Sequence, residues 1–152
     1  MQLAYLADHE YLISELACLH FAEWSYLRPE ETLEGRTARL QSCCKKGLPT
    51  VVIGLLGNDL CGSAMLVPHD LESCPELTPW LAGVFVKPQY RRKGFASVLV
   101  ARIAQEARAL RFPHLYLYTP GSTRLYEQLG WSVLRHASQQ GTSVVVMSKA
   151  LA

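Results

Sequence analysis

Apolar and polar positions follow two different periods along this chain, and the changes of period predict its elements. Residues 2–6 read as a short first strand. Asp8 then stands where a helix N-cap is expected, and Leu12, Leu16, Leu19 and Ala22 follow near helical spacing as far as Trp24. Pro29, Glu30 and Glu31 suit the first turn of a second helix, which the spacing carries to about Gly47. The period then shortens. Residues 50–56 and 60–67 are β-branched and apolar around a Gly57-Asn58-Asp59 turn, the pattern of a hairpin, and residues 80–87 form a third strand stopped by Pro88. Phe95, Leu99, Ile103, Ala107 and Leu110 give one stripe of a helix over 92–110. Residues 114–119 read as a strand between two prolines. Ser122 suits the cap of a short helix ending at Gly130, and 131–138 with 142–148 predict a closing hairpin. The order β-α-α-β-β-β-α-β-α-β-β predicts a mixed α/β domain spanning 1–152, a central sheet with helices packed on it.

Composition narrows the class. The chain has 152 residues, 49% hydrophobic and 18% charged, which suits one globular domain with a full core. A net charge of +2 is too small to argue for nucleic acid. No stretch of about 18 uncharged apolar residues predicts a membrane span, and the N-terminus lacks the basic, then apolar pattern of a signal peptide. Five cysteines, an odd number with no C-x-x-C spacing, predict reduced thiols, a cytoplasmic location and no zinc site.

One local feature outweighs the total charge. Lys87, Arg91, Arg92 and Lys93 fall within seven positions with no acid among them, and Gly94 follows directly before an apolar helix. The first-turn amides of a helix lack intrahelical acceptors, and its dipole is positive there, so such an end can hold a phosphate. Gly94 permits close approach to the backbone, and Ala96 keeps the next contact small. Neither a P-loop nor a dinucleotide-binding glycine pattern is present.

Arg91-Arg92-Lys93-Gly94-Phe95-Ala96 matches the [QR]-x-x-G-x-[GA] motif of the GCN5-related N-acetyltransferases, and it follows the apolar segment Ala82-Gly83-Val84-Phe85-Val86. Further along, Leu125-Tyr126-Glu127-Gln128-Leu129-Gly130-Trp131 resembles the second signature of that family, L-Y-x-x-x-G-[FWY]. The order of elements fits as well, so the resemblance covers nearly the whole chain.

The resemblance implies a sheet of about seven strands with about four helices and acetyl-coenzyme A as co-substrate. Amides from Arg92 to Ser97, with Arg91, Lys93, Gly94, Phe95 and Ala96, would cradle the pyrophosphate. Val84, Phe85 and Val86 would meet the pantetheine arm as an added strand. The arm would enter where this strand parts from the one holding Tyr118. Tyr126 aligns with the tyrosine that often protonates the departing thiolate. The acceptor amine must shed a proton, and the acidic segment 68–76 offers Glu76, His69, Glu72 and Asp70 as bases, in that order. The turn holding Trp24 and Tyr26 would form the opposite wall of the acceptor site.

The function expected from this resemblance is direct transfer of acetyl to a small-molecule or peptide amine, with no metal, nucleic acid or membrane involved. The alternative is an acyl-coenzyme A sensor without turnover. The acids of 68–76 favour a cationic small acceptor. The apolar final strand, Val144-Val145-Val146-Met147, would allow a homodimer.

Overall fold

A computed structural model describes residues 1–121 and 123–151, so the expected cap at Ser122 lies outside the described residues. Seven strands are formed: β1 (Gln2–Tyr5), β2 (Thr50–Leu56), β3 (Asp59–Val67), β4 (Trp80–Val86), β5 (His114–Thr119), β6 (Ser132–Gln139) and β7 (Thr142–Ala150). Four α-helices accompany them: α1 (Ile13–Trp24), α2 (Leu33–Gln41), α3 (Phe95–Ala109) and α4 (Arg124–Gln128). The elements run in the expected order, with their ends shifted.

The shifts have local causes. Asp8 caps nothing: it closes a 3-10 turn and pairs with Lys45, Oδ1 to Nζ 2.6 Å, while α1 begins five residues later. The buried face of α1 is Ile13, Leu16, Ala17 and His20, rotated from the expected stripe. Pro29 and its acids precede α2 rather than start it. Thr32 is the cap, its Oγ1 accepting the Gly35 amide at 2.9 Å, and the helix ends at Gln41.

The sheet order is β1-β2-β3-β4-β5-β7-β6. The final strand therefore sits between β5 and β6, so it is not an exposed edge; β1 and β6 are the edges. That removes β7 as the surface for pairing with a second chain, because its backbone bonds are already used on both sides.

Alternation along the strands sends side chains to opposite faces. Ile53, Met65 and Trp80 pack with Leu16 and Leu40 under α1 and α2. Val52, Leu66 and Leu81 pack with Leu99 and Ile103 under α3.

Two departures from a regular sheet create the site. First, β3 and β4 slip register between Ser63 and Met65, leaving an extra residue in β4. Gly83 sits there with φ +57°, a conformation that favours glycine, and a Cβ on it would meet Met65 Sδ at 2.7 Å and force that side chain to move. Second, β4 and β5 run parallel but pair only at Trp80 and Tyr116. Beyond that point the strands diverge and leave an open seam in the middle of the sheet.

Candidate active site

The seam is the centre of a connected set of cavities. At its outer end lies a groove of about 190 Å³ at the start of α3, lined by Arg91, Arg92, Gly94, Ala96 and Ser97. Gly94 has φ +80° and precedes the helix, and a Cβ there would meet nothing within 4 Å. The first turn thus presents free amides to open space, with Arg91, Arg92 and Lys93 exposed beside them. Arg91 is anchored: its Nε donates to the Val86 carbonyl at 2.8 Å, and its guanidinium lies 5.8 Å from the Phe85 ring centroid. These groups fit an elongated polyanion.

The groove continues along Val84, Phe85 and Val86, where Trp24 and Tyr126 form walls. It opens into an inner chamber of about 140 Å³ within the seam, bounded by Gly83, Val84, Tyr118 and Tyr126. Tyr126 and Trp24 therefore border both the groove and the chamber. Burial raises the Tyr126 phenol above its ordinary value, so the hydroxyl stays protonated. Burial likewise pushes Tyr118 up to about 12.

A third space, of about 560 Å³, lies on the side of α2. Arg28, Arg39 and Asp70 line both it and the inner chamber, so they form the partition between the two. Arg28 binds the Asp70 carboxylate and donates to the Asp70 carbonyl at 3.1 Å. Arg36 is buried 3.0 Å from Glu31, and Arg39 stands 3.9 Å from both Glu31 and Asp70. Burial raises the Asp70 carboxyl, and the guanidinium groups of Arg28, Arg39 and Arg36 offset only part of that rise.

The acidic segment 68–76 divides in this structure. His69, Asp70 and Glu72 line the outer space. Glu76, the first choice of base from the sequence, points elsewhere: it is exposed, pairs with Arg135 at 2.9 Å and is not among the residues lining these cavities. Its pKa is lowered by a hydrogen bond to its own backbone amide and by Arg135, which makes it a weaker base. Tyr26 is 57% exposed and is likewise not among the lining residues. Lys87 is held by Glu15 at 2.6 Å and Asp59 at 3.4 Å.

Several residues here escaped the sequence reading. His20 is fully buried beneath the bulge, with Nε2 2.8 Å from Ser63 Oγ. Ser63 donates its one hydroxyl proton to the Gly83 carbonyl at 2.8 Å. Its oxygen must then accept from His20, which assigns the proton of the neutral ring to Nε2. Nδ1 has no partner among the described residues. The available signals were His20 continuing the apolar series 13, 16, 17, and Arg36 lying between Leu33 and Leu40 on one helical face.

Protonating His20 would bury an unpaired charge, so its pKa falls from 6.5 to about 3, through burial first and then through Arg36 and Arg39. In the unfolded chain this ring takes a proton near 6.5. Between that pH and about 3 the unfolded state binds more protons, so stability falls as pH falls. The expected loss is about 1.4 kcal/mol per pH unit. Denaturant titrations of wild type and His20→Gln at pH 6.5 and 5 check this, with the variant showing the flatter dependence. Equal slopes would mean that His20 is charged in the fold.

A model of the acetyltransferase (GNAT) family matches residues 13–131, and the chain belongs to that family. Solved structures share its whole fold at low identity. A ribosomal-protein-alanine N-acetyltransferase from Brucella melitensis superposes with TM-score 0.78 at 17% identity, covering 99% of each chain. An aminoglycoside 6'-N-acetyltransferase from Enterococcus faecium gives 0.73 at 16%, covering 100% of this chain and 98% of its own. An aminoglycoside 6'-N-acetyltransferase complexed with coenzyme A gives 0.75 at 14%, with coverage of 100% and 98%. No curated protein matches the chain in sequence. Among the described residues no helix is long and apolar enough to cross a membrane, and no group of three or more His, Cys, Asp or Glu side chains could hold a metal ion.

Proposed function

We propose that this protein transfers the acetyl group of acetyl-coenzyme A to a primary amine by direct attack within a ternary complex. The observation that carries this reading is the continuous path from the basic start of α3, along β4, through the seam, to a partition holding a buried carboxylate. A similar structure solved with coenzyme A supports the choice of co-substrate.

In this reading the amides of residues 92–97 and the Arg91, Arg92 and Lys93 side chains hold the pyrophosphate. The β4 edge facing the seam, at Val84 and Val86, pairs with the pantetheine arm. Asp70 takes the proton of the ammonium, directly or through water, because its raised pKa makes it a better base than an exposed carboxylate. The neutral nitrogen attacks the acetyl carbonyl carbon, and a backbone N–H of β4 stabilises the oxygen as charge grows on it. The C–N bond forms, the nitrogen sheds its second proton to solvent, and the C–S bond breaks. Tyr126 gives its phenolic proton to the departing thiolate and recovers one from solvent. Trp24 lines the chamber beside the reacting groups.

Release of free thiol from acetyl-coenzyme A in the presence of a panel of primary amines tests the reading. Amine-dependent release is expected. Stabilisation by acetyl-coenzyme A with no release for any amine would overturn the enzymatic reading and leave a sensor.

A further inference from the structure

We propose that the acceptor is a free α-amino acid with an apolar side chain, its ammonium seated on Asp70 and its carboxylate on Arg39. This rests on the acetyl-transfer reading and names the substrate of the same site.

Two features of the partition carry it. The first is charge. Three guanidinium groups, Arg28, Arg36 and Arg39, share two carboxylates, Glu31 and Asp70, which leaves one positive charge uncompensated (3 − 2 = 1). Glu72, exposed on its loop, also lines the outer space but is not within ion-pair distance of this cluster. The surplus falls on Arg39. Arg28 is held closely by Asp70, and Arg36 is sealed against Glu31. Arg39 reaches each of its two carboxylates only at 3.9 Å and borders both spaces. Arg39 thus stands loosely beside Asp70, which Arg28 holds closely, and is the more exposed member of the pair. The complement of such a pair is a ligand with the opposite charges on adjacent groups. An α-amino acid is that ligand, since a single carbon separates its ammonium from its carboxylate. Seating it there places the amine at the partition, facing the seam.

The second feature is the outer wall. Pro49, Met65, Val67, Pro68, Leu71 and Pro75 also line the 560 Å³ space, which His69 and Glu72 border as well. An apolar side chain leaves water against this wall, whereas sugar hydroxyls would lose their hydrogen bonds there. A polycation would also bring several ammonium groups against the uncompensated guanidinium, an unfavourable match. The geometry therefore reverses the preference for a cationic acceptor drawn from the acids of 68–76: Asp70 is outnumbered by arginines that come from another part of the chain.

The test compares L-leucine, L-methionine and L-phenylalanine with L-leucinamide, the dipeptide Leu-Gly and kanamycin, by thiol release from acetyl-coenzyme A. Leucinamide keeps the side chain of leucine and replaces its carboxylate with a neutral carboxamide, so rates are compared per neutral amine. The expected kcat/KM for leucine exceeds that for leucinamide by about tenfold or more, the size of one charge-assisted hydrogen bond. In Arg39→Gln the KM for leucine rises by a similar factor, and the preference for leucine over leucinamide disappears. Thermal stabilisation by acetyl-coenzyme A remains as in wild type, which shows the variant folded and loaded. Leucinamide, Leu-Gly or kanamycin used as well as leucine would overturn the proposal. So would an Arg39→Gln variant that keeps the preference. Release with another amine but with none of the amino acids would sink this inference while leaving acetyl transfer intact. Failure of wild type to bind acetyl-coenzyme A would sink both.

Discussion

Replacing Gly94 with glutamate is expected to abolish binding of acetyl-coenzyme A while leaving the protein folded. At a ligand concentration of 100 times its dissociation constant, wild type should gain about 2.7 kcal/mol of stability. The variant should gain none. The reason lies in the position of the residue. With φ +80°, Gly94 turns the chain from the exposed arginines into α3, and a non-glycine residue there costs about 1–2 kcal/mol. No neighbour lies within 4 Å of the added Cβ, so the core is not disturbed. The carboxylate would stand in front of the first-turn amides and neutralise the field that Arg91, Arg92 and Lys93 create there. Gly94→Ala separates the two effects, because it carries the backbone strain without the charge, and it should retain part of the stabilisation. Differential scanning fluorimetry with and without the ligand measures all three proteins. A full shift in Gly94→Glu would place the pyrophosphate somewhere other than the start of α3.

The second large effect is expected for Tyr126→Phe. Loss of a positioned general acid lowers kcat by roughly 10²–10⁴-fold. The KM for acetyl-coenzyme A should change little, because phenylalanine keeps the edge contact with Trp131, whose ring centroid is 6.2 Å away. The pH dependence gives a second check. Burial raises the Tyr126 pKa, so the hydroxyl remains a donor up to and beyond the ordinary phenol range, near 10. Wild type should therefore show no loss of rate from Tyr126 on the alkaline side below that range. Steady-state kinetics decide the matter: a kcat within twofold of wild type would leave Tyr126 as a packing residue of α4.

The stretches proposed to hold the cofactor are plain in the sequence, and so are the two segments that wall the proposed acceptor end, but the partition between those walls is not. The basic turn, the strand before it and the tyrosine of α4 are each contiguous stretches, and local pattern is enough to find contiguous features. The partition is assembled from Arg28, Arg39 and Asp70, brought together only by the docking of α2 and the β3–β4 loop. That loop has no period, so nothing in it distinguishes Asp70, which faces the cavities, from Glu76, which pairs with Arg135. The ends of α1 and α2 were misplaced because Asp8 and Pro29 are good starting residues for helices, yet each lies within a short turn instead. The insertion of β7 between β5 and β6 is a matter of topology, and an apolar strand looks the same at an edge or inside a sheet. Residues 50–56 and 114–119 fell where expected, since a buried strand bounded by turns or prolines has few alternatives.

The single pairing of Trp80 with Tyr116 also has a mechanical meaning. It divides the backbone pairing of the sheet into two parts, β1 to β4 and β5 with β7 and β6, which side chains of both cores join. Parts paired so lightly share little cooperativity through their backbones, and the three-stranded one should breathe more freely than its neighbour. A pantetheine arm laid along the gap would act as a splint, coupling the rigidity of the two halves to occupancy by the co-substrate. The partition proposed to take the acceptor contains Arg28, Arg39 and Asp70 from the first half, and Tyr118 of the second borders the same chamber. Loading the co-substrate would then set the shape of the acceptor chamber before any amine arrives, and the order of binding would follow from how the sheet is divided.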